Sequence, residues 1–514
     1  MRIPGSRLVA LLLLTAFVLQ PHEAGARRRH SRRRGGHPPV PVTAPAQEHR
    51  PSERELAFAD TLEHRTFQWF WDKTDEATGL TPDRAPARSF VSVAAMGFAL
   101  SAWPIGIERS YITRDQGITR TLNALRWLWH APQDTSRMGA SGYRGFYYHF
   151  LDSHTGTRWA PDVELSTQDT ALLLGGVLFV GSYFDHGDPR EAEIRALADS
   201  VYSRVDFRWA QNHKPLLSLG WFPETGFLPY DWGGLNETVI LHLLAMGSPT
   251  HGCDNDLWLG YQKHYLWDSF QGVTHLCFPP LFGHQYTHCW VDFRGIQDDA
   301  MRLHASDFFK NSQLATESQY RYAVANPMGW KGYGALQWGI TACDGPIDTV
   351  MNVNGIARAF HTYAGRGVSV QHITDDGTIA PTAAAGSMPF RPEIALPALV
   401  AMRERYGDHV FNQYGFVDAF NATLTDSLLP VRMGHIVPGV GWFDGDQLGI
   451  DQGPILMMVE NWRSGLVWRV MRRNPYLQRG LEVAGFRGGW LAANHAAARA
   501  AASPRKRARK RAGR

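Results

Sequence analysis

The chain has 514 residues, 44% of them hydrophobic and 12% aromatic, with 18 Trp and a formal net charge of +4. Residues 1–46 carry eight basic and one acidic side chain and residues 501–514 carry seven basic, so removing that +14 leaves about −10 on residues 47–500. A mildly acidic body argues against a nucleic-acid partner, and no apolar run after the first approaches the ~18 residues that a bilayer span requires.

In chain order, Arg2 and Arg7, the apolar run Leu8 to Leu19 and the small residues Ala24-Gly-Ala26 read as a secretory signal over residues 1–26. A basic and Pro-rich disordered linker follows over residues 27–51, and an Ala-rich, basic disordered tail is expected over 481–514. These features predict an exported protein, periplasmic or secreted, with no transmembrane segment once the signal is removed. The basic tails could be drawn to anionic envelope surfaces. Nothing in the chain calls for an oligomer, so a monomer is expected. Export would permit disulfides among Cys253, Cys277, Cys289 and Cys343, in three possible pairings, and at least one bridge is expected.

Between the tails, the spacing of apolar residues predicts helices over 53–73, 89–103, 114–129, 166–183, 191–204, 236–246, 317–325, 357–364, 392–406 and 453–468. Strand-like alternation is sparse and short. The expectation is one large all-α catalytic domain over 52–480, with paired helices ringing a cleft as an α/α toroid. Loops between the helices are rich in Gly, Trp, Tyr and Pro, and aromatic faces beside carboxylates suit stacking on sugar rings.

Four stretches concentrate polar groups. In Asp162-Val-Glu-Leu-Ser-Thr-Gln-Asp169, the last residue either caps a helix or faces the cleft from its first turn. In Asp231-Trp-Gly-Gly-Leu-Asn-Glu237, the glutamate stands before an apolar helical run, and Trp232 and Tyr230 would partly desolvate it. Desolvation raises a carboxyl pKa and suits a general acid. Trp221 lies just upstream, in Trp221-Phe-Pro-Glu224. In Leu281-Phe-Gly-His-Gln-Tyr-Thr-His-Cys-Trp-Val-Asp-Phe-Arg294, the polar groups His284, Gln285, His288 and Arg294, with Tyr286 between them, could bind hydroxyls. The two histidines stand four apart, but no Glu follows the first, so no metal is expected, and no cofactor either. In the C-terminal half, Asp344, Asp376 and Asp451 stand in turn-like settings, whereas Asp418 is enclosed by Phe416 and Phe420. The chain has no nucleophile elbow, no Walker loop and no His-Glu-x-x-His.

An ordered set of motifs carries a family resemblance. Phe67-Gln-Trp-Phe70, Gly106-Ile-Glu-Arg109, Tyr148-His-Phe-Leu-Asp152, Glu164-Leu-Ser-Thr-Gln-Asp-Thr-Ala-Leu-Leu-Leu174, Gly247-Ser-Pro-Thr-His251, Pro280-Leu-Phe-Gly-His-Gln-Tyr286, Gly377-Thr-Ile-Ala-Pro-Thr-Ala-Ala384 and Ile450-Asp-Gln-Gly-Pro454 together resemble the glycoamylase-like domain family over roughly residues 55–475. That family includes the endo-β-1,2-glucanases of glycoside hydrolase family 144 and the transglycosylating domain of cyclic β-1,2-glucan synthases. The resemblance implies an (α/α)6 toroid acting on a glucan polysaccharide or oligosaccharide without a metal. By motif position it implies Glu237 as general acid, Asp169 as a further acidic site residue, and Asp418 as the other catalytic carboxylate, with Asp376 and Asp451 behind it. Ser166 stands where some relatives carry an Asp.

The expected function is an exported glycoside hydrolase that cleaves β-glucan, most readily β-1,2-glucan, endo-acting and inverting. Trp221, Trp232, His284, Gln285, Tyr286, Arg294, Asp376 and Asp451 are the expected substrate contacts. Two alternatives stay open: a polysaccharide lyase on the same toroid, using His288, Tyr286 and Arg294, and a non-catalytic glycan-binding envelope protein.

Overall fold

The computed structural model describes residues 50–353, 355–494 and 496. The expected signal, most of the linker and the basic run after residue 496 lie outside the described residues. The main helices are α1 (Glu53–Lys73), α2 (Val93–Glu108), α3 (Arg114–His130), α4 (Thr167–Tyr183), α5 (Pro189–Ser203), α6 (Val239–Gly247), α7 (Phe308–Ala325), α8 (Pro392–Tyr406), α9 (Gly449–Arg463) and α10 (Pro475–Val483). Among the described residues no helix is long and apolar enough to cross a membrane.

Local chemistry explains where these helices start. Ser52 and Glu55 form a reciprocal capping box on α1, and Thr113 and Gln116 do the same on α3. Both of these helices are amphipathic, with one buried and one solvated face. By contrast, α2, α4 and α9 are buried almost all round, as expected of helices enclosed by others.

These inner helices approach closely because glycines allow it. A Cβ on Gly97 of α2 would lie 2.3 Å from the Leu172 carbonyl oxygen of α4, and one on Gly176 of α4 would lie 2.1 Å from the Gly97 carbonyl oxygen. On the other side, a Cβ on Gly453 of α9 would meet the Phe98 ring of α2 at 2.1 Å. Bare backbone at these crossings fixes how far each helix N-terminus projects.

The fold is helical but not purely so. Short strands precede the inner helices: Val91–Ser92 before α2, Leu165–Ser166 before α4 and Gln447–Leu448 before α9. The largest sheet has five antiparallel strands, β1 (Gly142–Tyr143), β2 (Phe146–Tyr148), β3 (Leu165–Ser166), β4 (Gly220–Phe222) and β5 (Gly226–Phe227), paired in that order. The all-α expectation is corrected to a helical body decorated by short strands.

Three further expectations change. The helix expected over 357–364 is the strand Ile356–Phe360, paired antiparallel with Thr349–Val353. Its alanines favour a helix, but Gly355 at φ +82° closes a hairpin instead. The domain boundary expected at 480 falls inside α10, and Phe486, Trp490 and Leu491 beyond it are buried. All four cysteines are free and buried, so the expected disulfide does not form.

Candidate active site

The N-termini of the inner helices bring carboxylates together. Asp169 is the third residue of α4 and Asp451 the third of α9. Glu237 precedes Thr238, the N-cap of α6. Positive helix ends favour negative charge nearby, so the chain can hold several carboxylates in one region.

Glu237 is not the helix cap. Asn236 Oδ1 accepts from the Thr238 backbone N–H at 3.0 Å and from its hydroxyl, which leaves the Glu237 side chain uncommitted to capping. The Glu237 carbonyl accepts from Gln168 Nε2 at 3.0 Å and Thr287 Oγ1 at 3.4 Å, so its backbone is held from α4 and from the 286–289 turn. Burial pushes its carboxyl up to about 7, and the charge of Asp169 adds to the rise. Trp232 borders this region, its indole N–H donating to Thr167 Oγ1 at 3.0 Å.

Asp169 is held on both oxygens. Ser166 caps α4 and donates its hydroxyl to Asp169 Oδ2 at 2.6 Å, while His149 Nε2 lies 3.4 Å from Oδ1. The other ring nitrogen, Nδ1, lies 2.8 Å from Glu164 Oε1. His149 lay within one of the family motifs, yet neither it nor Glu164 was an expected site residue. Their approach depends on pairing between β2 and β3, which local sequence does not announce.

The second half of the cleft is a cluster of aspartates. Asp418 Oδ2 accepts from the Asp344 backbone N–H at 2.7 Å, and the Asp418 backbone N–H donates to the Asp446 carbonyl at 2.9 Å. Arg84 ion-pairs with both Asp344 and Asp83. Asp418 Oδ1, Asp344 Oδ1, Asp444 Oδ2 and both oxygens of Asp451 are buried without a donor from the rest of the protein. Burial raises the Asp418 and Asp451 carboxyls, and their mutual contact pushes Asp451 higher while lowering Asp418. Asp344, Asp418 and Asp444 have carboxylate oxygens within 4.8 Å of one another, the one grouping among the described residues close enough to share a cation. Arg84 already supplies positive charge there.

Tyr286 lies within electrostatic reach of both Asp451 and Glu237, and Tyr363 within reach of Asp451, Asp418 and Asp344. These phenols tie the two groups of acids into one site. Tyr363 carries no sequence signal that would have singled it out.

Several expected substrate contacts also bond within the protein. His284 lies near the Phe278 carbonyl, with Nε2 at 3.2 Å, and burial lowers its pKa to about 3. Gln285 donates to the Ala383 carbonyl at 2.8 Å and to Ser387 Oγ at 2.9 Å. Both side chains are buried, and His284 Nδ1 has no partner among the described residues. Arg294 pairs with Asp292 and lies over the Trp468 ring at 4.4 Å, in a separate network with Arg472. Burial alone would raise Asp376, but the buried Arg366 guanidinium, bonded to both its oxygens at 2.8 Å, holds it below the usual carboxylate range. The same Arg366 donates to the Cys343 carbonyl and so braces the segment bearing Asp344. Trp221 on β4 stacks against Tyr143, ring centroids 5.1 Å apart, and is half-buried. His288 packs against Phe293 and Phe390 beside Ser312, with Nε2 3.1 Å from Oγ.

Buried carboxylates beside aromatic rings at the inner helix ends suit the carbohydrate-active class. The comparisons agree with that class. Residues 229–475 match the Glycoamylase (glucoamylase) family model. It is 26% identical over 458 residues, 82% of its length, to the exo β-1,2-glucooligosaccharide sophorohydrolase (non-reducing end) of Parabacteroides distasonis. The chain spans 57% of the length of that curated relative. Among solved structures it is similar to an endo-β-1,2-glucanase from Chitinophaga pinensis in complex with sophorotriose and glucose. That match has 28% identity and a TM-score of 0.72 and covers 85% of this chain and 99% of the other. A β-1,2-glucanase from Parabacteroides distasonis matches with 25% identity and a TM-score of 0.72, over 84% of this chain and 60% of its own. The family resemblance read from the motifs therefore holds.

Proposed function

We propose that the chain is a glycoside hydrolase that cleaves β-1,2-glucan by general acid/base catalysis. Its paired helices close an (α/α)6 ring around the cleft. In this reading Glu237 protonates the departing glycosidic oxygen, and Asp418 draws the proton from the attacking water. The Asp344 backbone N–H orients Asp418, with Asp451 beside it. The observation that carries the reading is a Glu237 side chain left free of helix capping and an Asp418 carboxylate fixed through Oδ2 by the Asp344 backbone N–H, with Oδ1 left open. Burial raises the Glu237 carboxyl to about 7, which suits a proton donor near neutral pH. Sugar hydroxyls would supply the donors that the buried carboxylate oxygens lack.

The relatives are β-1,2-glucan-degrading enzymes, which favours that linkage. The reaction is proposed to be inverting, with an internal bond as the point of attack. The proposed setting is the periplasm or the exterior, reached through the signal, with a monomer acting and the basic tails touching anionic envelope surfaces. A lyase would need free cationic charge for a uronate carboxylate. The cations here, Arg84 and His149, each sit between carboxylates, and His288 and Arg294 are engaged elsewhere. Digestion of a panel of linkage-defined glucans tests the proposal. Cleavage of β-1,2-glucan with release of reducing ends supports it. Unsaturated products would favour a lyase, and binding without any product would favour a non-catalytic glycan-binding protein.

A further inference from the structure

His149 is fixed more firmly than a core histidine needs to be. Its backbone N–H donates to the Glu164 carbonyl at 3.0 Å, and its carbonyl accepts from the Val93 N–H at 3.2 Å. The ring stacks on Phe150, centroids 3.9 Å apart, and Phe90 backs Phe150 at 4.1 Å. In this fixed pose each ring nitrogen faces a carboxylate: Nδ1 faces Glu164 Oε1 at 2.8 Å and Nε2 faces Asp169 Oδ1 at 3.4 Å.

A neutral imidazole has one donor nitrogen and one acceptor nitrogen, so one carboxylate would face a lone pair. Only the imidazolium offers a proton to both. From the hydrolase reading above, we infer that His149 is a permanently protonated positioning residue that holds the Asp169 carboxylate in place beside Glu237.

The surroundings agree. The charged groups around the ring are Glu164 before β3, Asp169 on α4 and Asp83 before α2, with Arg84 compensating Asp83. Burial opposes the positive ring, but Asp169, Glu164 and Asp83 together raise it to about 9. With Ser166 donating to one oxygen and His149 facing the other, the Asp169 carboxylate is fixed in place. Its remaining lone pairs are left to accept a sugar hydroxyl, and its charge acts on Glu237.

Two measurements test this. In protein labelled with 15N-histidine, the ring signal that disappears in His149→Gln is expected to show both nitrogens protonated up to about pH 8. A neutral tautomer at pH 7 overturns the inference. If His149→Gln does not fold, Glu164→Gln identifies the same signal, because its titration should move down by about one pH unit or more; an unmoved signal likewise overturns the inference. This readout does not depend on turnover, so it stands apart from the hydrolase reading, which fails if the wild type leaves β-1,2-glucan intact. In the kinetic arm, His149→Gln is expected to lose ~10-fold or more in kcat/KM at pH 5 and to recover toward wild type at pH 7, because the Asp169 carboxylate loses the cation that faces it. An equal loss at every pH, or no loss, marks His149 as structural filling and overturns the proposal.

Discussion

Asp344 donates its backbone N–H to Asp418 Oδ2 at 2.7 Å, while its own carboxylate pairs with Arg84. One residue thus steadies the proposed base through its backbone and adds negative charge beside it through its side chain. The arrangement leaves Oδ1 of Asp418 without a protein donor. Asp418→Asn should therefore lower kcat on β-1,2-glucan by ~10²–10⁴-fold, the range for loss of a general base. Because it removes a charge from a crowded acidic cluster, the same change should leave Tm equal or raised by about 2 °C. Steady-state kinetics and a thermal melt check both halves.

The pH dependence follows from Glu237. A general acid must be protonated, and its carboxyl is raised to about 7, so activity should fall as pH rises through about 7. Asp169 contributes to that rise, so Asp169→Asn should move the basic limb of kcat/KM to lower pH. Stability follows the same sign. A carboxyl raised above its unfolded value contributes stability that is full below about 4.5 and is lost as pH rises through about 7. Tm should decline over that window, and Glu237→Gln should flatten the decline.

The inner-helix crossing sets the position of Asp169. Gly97→Ala would place a methyl 2.3 Å from the Leu172 carbonyl oxygen and closer still than contact to the Leu173 backbone. No flexible side chain can yield there, so the change should cost about 1–3 kcal/mol or more. A melt should show a Tm lower by several degrees, together with reduced turnover, because α4 carries Asp169 away from Glu237.

Much of the helical frame was legible. Helix α1 matched its expected bounds because Ser52 and Glu55 form a capping box ahead of an amphipathic run, and α8 matched because Pro392 opens it and Gly407 closes it. Glu237, Asp169, Asp418 and Asp451 were legible as carboxylates near helix starts or among aromatics. Asp344 looked like a turn residue, and His149 had only its family motif. Their proximity to Asp418 and Asp169 arises from segments far apart in the chain. His284 and Gln285 stand among aromatics and Asp376 in a turn-like stretch, patterns common to a sugar subsite and to a buried hydrogen-bonded core. What separates the two is whether Phe278, Ala383 or Arg366 already occupies the bond, which only the fold decides.

The cysteines give a simple check on the fold. Cys253, Cys277, Cys289 and Cys343 are all free and buried. Thiol titration should find four reactive groups in denaturant without reductant and almost none in the native protein. Tm should be unchanged by dithiothreitol.

The central claim is that Glu237 is the proton donor. Replacing Glu237 with Gln keeps the side-chain shape and removes the transferable proton. Turnover of β-1,2-glucan, followed by release of reducing ends at pH 6, should fall by ~10³-fold or more, with Tm close to wild type and oligosaccharide binding retained. Turnover within tenfold of wild type in a folded Glu237→Gln protein would contradict the account.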